Sequence, residues 1–322
     1  MALPSDLPPR TLTNGKPWLS LEDQVSKFEQ RGLDLTPDER KQLEGFLATQ
    51  NYYRFSGYFK QLIDTALPDT FRQGTTLEQL LAVYRIDSQI RLLIFQGVQV
   101  LEPIIRTRVA YRLADGGVEG PTYYLKKKAY EPSRPSNNPP QGMGSKEWAR
   151  KHTGLVRTRD SLLHSIQETL GREELYLRHF QQREQDVPLW AMVEALSLGD
   201  LSKMVSTWKN TNQIERLMKD LGFRSAPELR RAVGNVNFFR NLSAHHNRLW
   251  GRRLTRTVAL SPWKGNSLFP YEGAPTESPL HILRLLVDWV DFVQGNNDYS
   301  KRLWATVQEE PIYEEGMKNP RL

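Results

Sequence analysis

Helix punctuation is the feature that most constrains what this chain can fold into. Thr36-Pro-Asp-Glu39, Thr75-Thr-Leu-Glu78 and Ser225-Ala-Pro-Glu228 share one form, a hydroxyl followed three residues on by a carboxylate. That form satisfies two of the orphan N–H groups in a helix's first turn. Leu43, Phe46 and Leu47 follow the first box, and Leu80, Leu81, Tyr84, Leu92 and Phe95 follow the second, at the three- and four-residue steps of a buried helical stripe. Ser20 opens an earlier helix, with Leu21, Val25 and Phe28 on one side and Gly32 at its end. Ser278-Pro279 begins a late one, with Leu280, Leu283, Leu286, Val287, Val290 and Val293 as its apolar side.

Between them, helical stretches are expected over 146–170, 172–183, 189–197, 200–209 and 212–221. Pro103 should kink or split the long segment after Thr75 near Leu101, and Gly116-Gly117 should end it. No strand ladder is legible beyond a short candidate at Thr255 to Leu260, and no internal repeat is visible. The expected class is all-α, a multi-helix bundle. Proline, asparagine, serine and glycine dominate Tyr130 to Gly144, which reads as a loop. The expected organisation is a flexible segment over 1–17, a helical domain over 18–295 with a possible division at the 130–145 loop, and a C-terminal tail over 296–322.

Composition narrows the chemistry. The chain has 322 residues, of which 39% are hydrophobic and 25% charged, enough apolar material to build a core. It has no cysteine, which removes disulfides, thiolate zinc sites and cysteine nucleophiles. The net charge is +7 and arginine outnumbers lysine about two to one, which suits a polyanionic partner and equally suits a GC-rich genome. Met1 to Lys16 has no apolar core, so no signal peptide is expected there. The apolar run from Leu92 to Leu101 is broken by Gln96, Gly97 and Gln99 and is too short for a bilayer. A cytoplasmic protein with no membrane partner is expected.

The densest chemistry lies in Arg240-Asn-Leu-Ser-Ala-His245-His246-Asn-Arg-Leu-Trp250. Arginine presents a permanent fork of donors to phosphate oxygens. Histidine exchanges a proton near neutral pH. Read as one helix, Asn241 and His245 share a face, so the amide can orient the imidazole. Arg240 then lies about 140° from His245 and must reach around the helix, which favours a site closed by a second helix. The spacing alone recurs by chance, as Arg159-Asp-Ser-Leu-Leu-His164 does in an ordinary charged run. What distinguishes the later stretch is the crowding of Asn241, His246, Asn247 and Arg248 around the pair. His245 and His246 are adjacent, and no HExxH or His-x-His spacing occurs, so neither metal nor cofactor is expected.

Several segments in order resemble the abortive-infection Abi-like family, in particular its AbiD/AbiF branch. They are Lys16-Pro-Trp-Leu-Ser-Leu-Glu-Asp-Gln24 with Arg31-Gly-Leu33, Asn51-Tyr-Tyr-Arg-Phe-Ser-Gly-Tyr58, and Tyr84-Arg-Ile-Asp87 with Arg91-Leu-Leu93. Glu102 with Arg106, Pro188-Leu-Trp190 with Glu194 to Lys203, and Arg240-Asn241 to Trp250 complete the series, which spans about residues 16 to 295. Pro103 and Arg85 depart from the pattern of such relatives, away from the arginine–histidine pair. The family is similar to the HEPN superfamily of helical, commonly dimeric, often metal-independent ribonucleases. The resemblance implies a HEPN-type bundle in which Arg240, Asn241 and His245 are catalytic, a homodimer that pairs two motifs, and RNA as substrate. It also implies a small structured RNA as a possible restraint, in an anti-phage abortive-infection or toxin–antitoxin system.

His246, Asn247, Arg248, Glu102 and Arg106 are candidate supporting residues, with structural roles open for each; for Glu102 and Arg106 that role is an ordinary intrahelical ion pair. Lys126, Lys127, Lys128, Lys146, Arg150 and Lys151 flank the 130–144 loop and either contact RNA backbone or form a solvated face. Tyr52, Tyr53, Phe55, Tyr58 and Phe59 form an aromatic cluster that suits a core and, alternatively, base stacking. Other readings are a non-catalytic RNA-binding regulator on the same scaffold, a helical scaffold for protein partners, and a buried Arg240–His245 network that only holds the helix.

Overall fold

The computed structural model describes residues 18–115, 120–131, 143–254 and 274–321. The described residues form thirteen α-helices and no β-strand, only the isolated bridges Ile63–Phe71 and Tyr130–Trp208. The all-α class is therefore borne out. The short strand expected at Thr255 to Leu260, the loop core at 132–142 and the glycines at 116 and 117 lie outside the described residues.

The chain divides into two compact units, one ending at Tyr84 and one beginning at Arg85. The first contains α1 (Leu21–Gln30), α2 (Pro37–Thr49) and α3 (Tyr52–Phe59), and the start of α4 (Leu77–Leu113). Ser20 and Thr36 close reciprocal capping boxes with Asp23 and Glu39. α4 starts one residue later than its Thr75 box implied. Thr76 and Gln79 exchange the two bonds, each at 3.2 Å. Both frames fit the hydroxyl-then-acceptor form, and the later one is selected because it buries Leu77 and Leu80. Phe55, Tyr58 and Phe59 are buried, and Phe28 packs within 6.2 Å of Phe55, Phe59 and Phe71. The aromatic cluster is thus mainly core, with Tyr53 left exposed.

The second unit is built on the rest of α4. Ile86, Ile90, Ile94, Val98, Leu101, Ile105 and Val109 form one continuous buried stripe. Of the expected kink or split at Pro103, the split does not occur: α4 runs through the proline as one helix. Pro103 removes its own N–H and crowds the Gln99 carbonyl, but both residues face solvent, where water takes the freed acceptor while the opposite face stays packed. Arg85, the other departure, pairs with Glu309 at 2.9 Å.

The following helices are α5 (Ser145–Leu170), α6 (Arg178–Gln181), α7 (Leu189–Ala195), α8 (Leu198–Thr207), α9 (Thr211–Asp220) and α10 (Ala226–Ala244). The expected helix over 172–183 shrinks to four residues, after the Glu174 carbonyl and Leu177 close a turn. α8 packs against both α5 and α10. Burial alone would raise the Asp200 carboxyl, but Ser197 and Lys203 bond to it and hold it below the usual carboxylate range. Lys203 also donates to Ser161 of α5 at 3.1 Å.

α11 (Pro279–Gln294) is buried on nearly all sides, as a core helix should be. The segment read as a tail forms α12 (Asp298–Val307) and α13 (Pro311–Lys318), both packed on α11. Gly97 of α4 allows the close approach of α12. A β-carbon there would lie 2.4 Å from the hydroxyl of Tyr299, which donates to the Leu93 carbonyl at 2.9 Å. Gly97→Ala should therefore cost about 1–3 kcal/mol, the usual range for overpacking, read as a lower denaturant midpoint. An unchanged midpoint would contradict this packing.

Candidate functional site

α10 starts where Ser225 accepts the Glu228 N–H at 3.4 Å, although Glu228 does not return the bond as a full capping box requires. Leu229, Ala232, Val233, Val236, Phe239 and Leu242 are its buried stripe. α8 packs against this helix beside Gly199, where a β-carbon would meet Asn237 at an ordinary contact distance of 3.5 Å. The Glu194–Lys203 segment thus helps to hold the helix that carries the motif.

The motif does not continue as a helix, contrary to the single-helix reading. α10 stops at Ala244, and His245 is its C-cap. The His246 N–H returns to the Ser243 carbonyl at 3.1 Å and the Asn247 N–H to the Leu242 carbonyl at 2.9 Å. These two bonds make a Schellman motif, whose C′ residue must be left-handed. His246 occupies that place at φ +52°, where glycine is the usual choice. Ser243 donates back to the Phe239 and Arg240 carbonyls at 2.8 and 3.1 Å.

Beyond the cap, the chain is drawn onto α4. Asp87 is fully buried, and its carboxylate accepts the N–H groups of Leu249 (3.3 Å) and Trp250 (2.9 Å) and the Tyr313 hydroxyl (3.0 Å). Arg91, also buried, bonds the same carboxylate from one turn on. Arg248 donates to the Trp250 carbonyl at 2.9 Å, a structural role. The Trp250 indole donates to the Tyr313 carbonyl at 3.0 Å, and Gly251 N–H to the Gly316 carbonyl at 3.2 Å. A β-carbon on Gly316 would fall 2.3 Å from that indole nitrogen. The segment after the histidines is therefore bound between α4 and α13.

Sequence reasoning missed Asp87, Tyr313 and Gly316 as supports of this segment. Asp87 and Arg91 were visible as part of a family-like segment. An acidic residue four positions before an arginine, however, looks the same in sequence on a solvated face and in a core. Tyr313 and Gly316 lie in the stretch read as tail.

The chemical side chains stay outside this packed base. Arg240, His245, His246 and Asn247 are exposed, and Asn241 is half-buried. Among the described residues neither Arg240 nor His245 has an ion-pair partner. The buried-network reading of the pair is therefore wrong. Contrary to the expectation that Asn241 orients the imidazole, its amide oxygen accepts from Arg240 Nη1 at 3.3 Å, and its link to His245 is through the main chain. The chance match at Arg159 has the opposite character, since Arg159 is buried and pairs with Asp160 at 2.9 Å, and His164 meets Glu168 at 3.6 Å.

A cleft of about 440 Å³ opens beside the motif. Ser88, Gln89, Arg91, Leu92 and Phe95 of α4 line one side, and Ser243, Ala244 and His246 the other. Arg106 bonds Glu102 at 3.1 Å and caps α7 through the carbonyls of Val193 and, at 2.8 Å, Leu196. Glu102 and Arg106 thus act as a helix-end clamp. Lys126, Lys127, Lys128, Lys146, Arg150 and Lys151 are all exposed; Lys127 meets Asp160 at 3.9 Å and Lys151 meets Glu147 at 3.0 Å, so part of this charge is answered within the protein. No group of three or more metal-ligating side chains occurs among the described residues, and no described helix is long and apolar enough to cross a membrane.

The Abi-like protein family matches residues 45–251, more than half of the chain, and the chain belongs to that family. The match is shorter at both ends than the resemblance read from the sequence. It ends just past Trp250, so the whole motif lies within it while α11 to α13 lie beyond. Membership associates the chain with abortive infection. No curated protein and no solved structure matches the chain.

Two stability changes test this geometry. Asp87→Ala leaves Arg91 buried against uncompensated donors and should cost about 3–5 kcal/mol, read by denaturant unfolding; a loss below about 1 kcal/mol would contradict the hub. His246→Gly relieves a left-handed backbone and should raise stability by about 1 kcal/mol. A fall in the thermal midpoint would show that the His246 side chain outweighs that relief.

Proposed function

We propose that this protein is a metal-independent endoribonuclease of the HEPN type, in the AbiD/AbiF branch, acting in the cytoplasm within an anti-phage abortive-infection or toxin–antitoxin system. The observation that carries the reading is that Arg240 and His245 are exposed, and without an ion-pair partner among the described residues, at the end of a helix whose other face and following segment are tightly held. A polar network that held this helix would be buried with its partners met; these side chains instead face outward on a held base, where a substrate can reach them.

The chemistry needs few groups. The RNA 2′-oxygen attacks the adjacent phosphorus, its proton goes to a base, and the 5′-oxygen leaves with a proton from an acid. The products are a 2′,3′-cyclic phosphate and a 5′-hydroxyl. His245 serves one proton transfer, a role worth about 10²–10⁴-fold. Arg240, steadied by Asn241, stabilises charge on the equatorial oxygens. One chain offers one such motif, so a homodimer bringing two together supplies the second proton carrier. The exposed Lys126–Lys128 and Lys146–Lys151 region supports RNA as partner, and a small structured RNA is a suitable restraint.

His245→Ala and Arg240→Ala, assayed on labelled RNA with EDTA present, should each lower cleavage by at least about 100-fold. The same sequence as DNA should stay intact, because it lacks the attacking hydroxyl. Undiminished cleavage in both variants would sink the assignment. Salt-sensitive RNA binding without new cyclic-phosphate ends would favour a non-catalytic RNA-binding regulator.

A further inference from the structure

We infer that the cleft between α4 and the end of α10 is a base-binding subsite, which seats one unpaired nucleobase of single-stranded RNA next to the scissile phosphate. The inference rests on the ribonuclease reading of Arg240 and His245 and adds a substrate feature to it.

Position comes first. Ser243 and His246 belong to the motif segment itself, so anything in the cleft lies beside the segment that carries Arg240 and His245, although neither of those two lines it. Chemistry follows. A nucleobase has two apolar π-faces and a polar edge. Leu92 and Phe95 offer apolar surface, and Gln89, Ser88 and His246 offer donors and acceptors around it. Gln89 and Leu92 are exposed and Phe95 is half-buried, so the surface is reachable from solvent.

Size and charge select this occupant. About 440 Å³ lies at the lower end of small-ligand sites, roughly 300–1,000 Å³. The α4 wall from Ser88 to Phe95 spans about 10 Å at 1.5 Å per residue, the length of a nucleotide or two rather than of a docked helix. Arg91 is the one charged side chain of the lining and its charge is met by the buried Asp87, whereas Arg240 is not among the lining residues, so a neutral base can enter while its phosphate meets Arg240 and His245 outside. The left-handed backbone of His246 fits the same account. A histidine held where glycine costs less, at the mouth of a cleft, marks a side chain kept for contact.

The experiment uses the full chain, a short fluorescein-labelled single-stranded RNA, and the same RNA with an abasic residue stepped along it. With wild type, an abasic residue at one position beside the cut should raise KM about ten-fold, the scale of one stacked base, with kcat little changed. Phe95→Ala and Leu92→Ala should raise KM on intact RNA by a similar factor and add nothing on the abasic strand. Gln89→Ala should broaden base preference at that position, read by sequencing the new ends. Leu92 and Gln89 are exposed, so their variants keep the test valid where Phe95→Ala unfolds.

Equal losses on intact and abasic RNA would overturn the subsite. So would an oligomer that Leu92→Ala splits by light scattering without RNA, because the cleft would then be an interface between copies. Anisotropy with His245→Ala separates the two readings. Base-dependent binding without cleavage by the wild type sinks the ribonuclease assignment and leaves the subsite standing. Cleavage without base dependence sinks the subsite alone.

Discussion

The buried carboxylate of Asp87 is the interaction on which the region around the motif depends. An ionised group out of water is stable only when every lone pair is met. Here one side chain of α4 gathers two backbone N–H groups from positions 249 and 250, a hydroxyl from α13 and the guanidinium of Arg91. Three remote parts of the chain are thereby referred to one point. The low dielectric that strengthens each bond also makes the loss of any partner costly. The chain after α10 is accordingly specified by a polar hub and has little freedom to choose another path.

The exposure of the motif follows from that hub. Because Leu249 and Trp250 are pulled onto α4, α10 cannot continue, and its last carbonyls are satisfied by the Schellman bonds of His246 and Asn247. Arg240, His245 and His246 are left on the outer side of a cap whose inner side is fixed. This separation of a rigid base from reachable side chains is what a binding or catalytic constellation requires. It also rules out a buried stabilising network between Arg240 and His245.

Close backbone approach does the remaining positioning. Gly97 lets Tyr299 rest against α4, and Gly316 lets the Trp250 indole rest against α13. The long stripe of isoleucines and valines on α4 holds the helix through Pro103, because the proline spoils only the solvent side. α11, buried almost all round, ties α12 and α13 into the same core. The C-terminal helices, which lie outside the family match, therefore carry part of the support of a motif that lies inside it.

Much of this fold was legible in the sequence because helices announce themselves locally. Caps at Ser20 and Thr36 and apolar spacing along α2, α4 and α11 depend on residues within a few positions of one another. The grouping of Arg240, Asn241, His245 and His246 was equally visible, as was membership of the Abi-like family. What the sequence could not hold was any choice made across the chain. Thr75 or Thr76 as cap was decided by which leucines reach the core. Whether α10 continued past Ala244 was decided by a carboxylate more than 150 residues away. Asn241 turned to Arg240 and away from His245, and the apparent tail became two packed helices, for the same reason. By itself the sequence determined the all-helical class and the chemical identity of the candidate site, since both are written in local pattern. Only the tertiary structure decided which of those side chains are held and which face solvent, because burial and the satisfaction of buried charge exist only once distant segments meet.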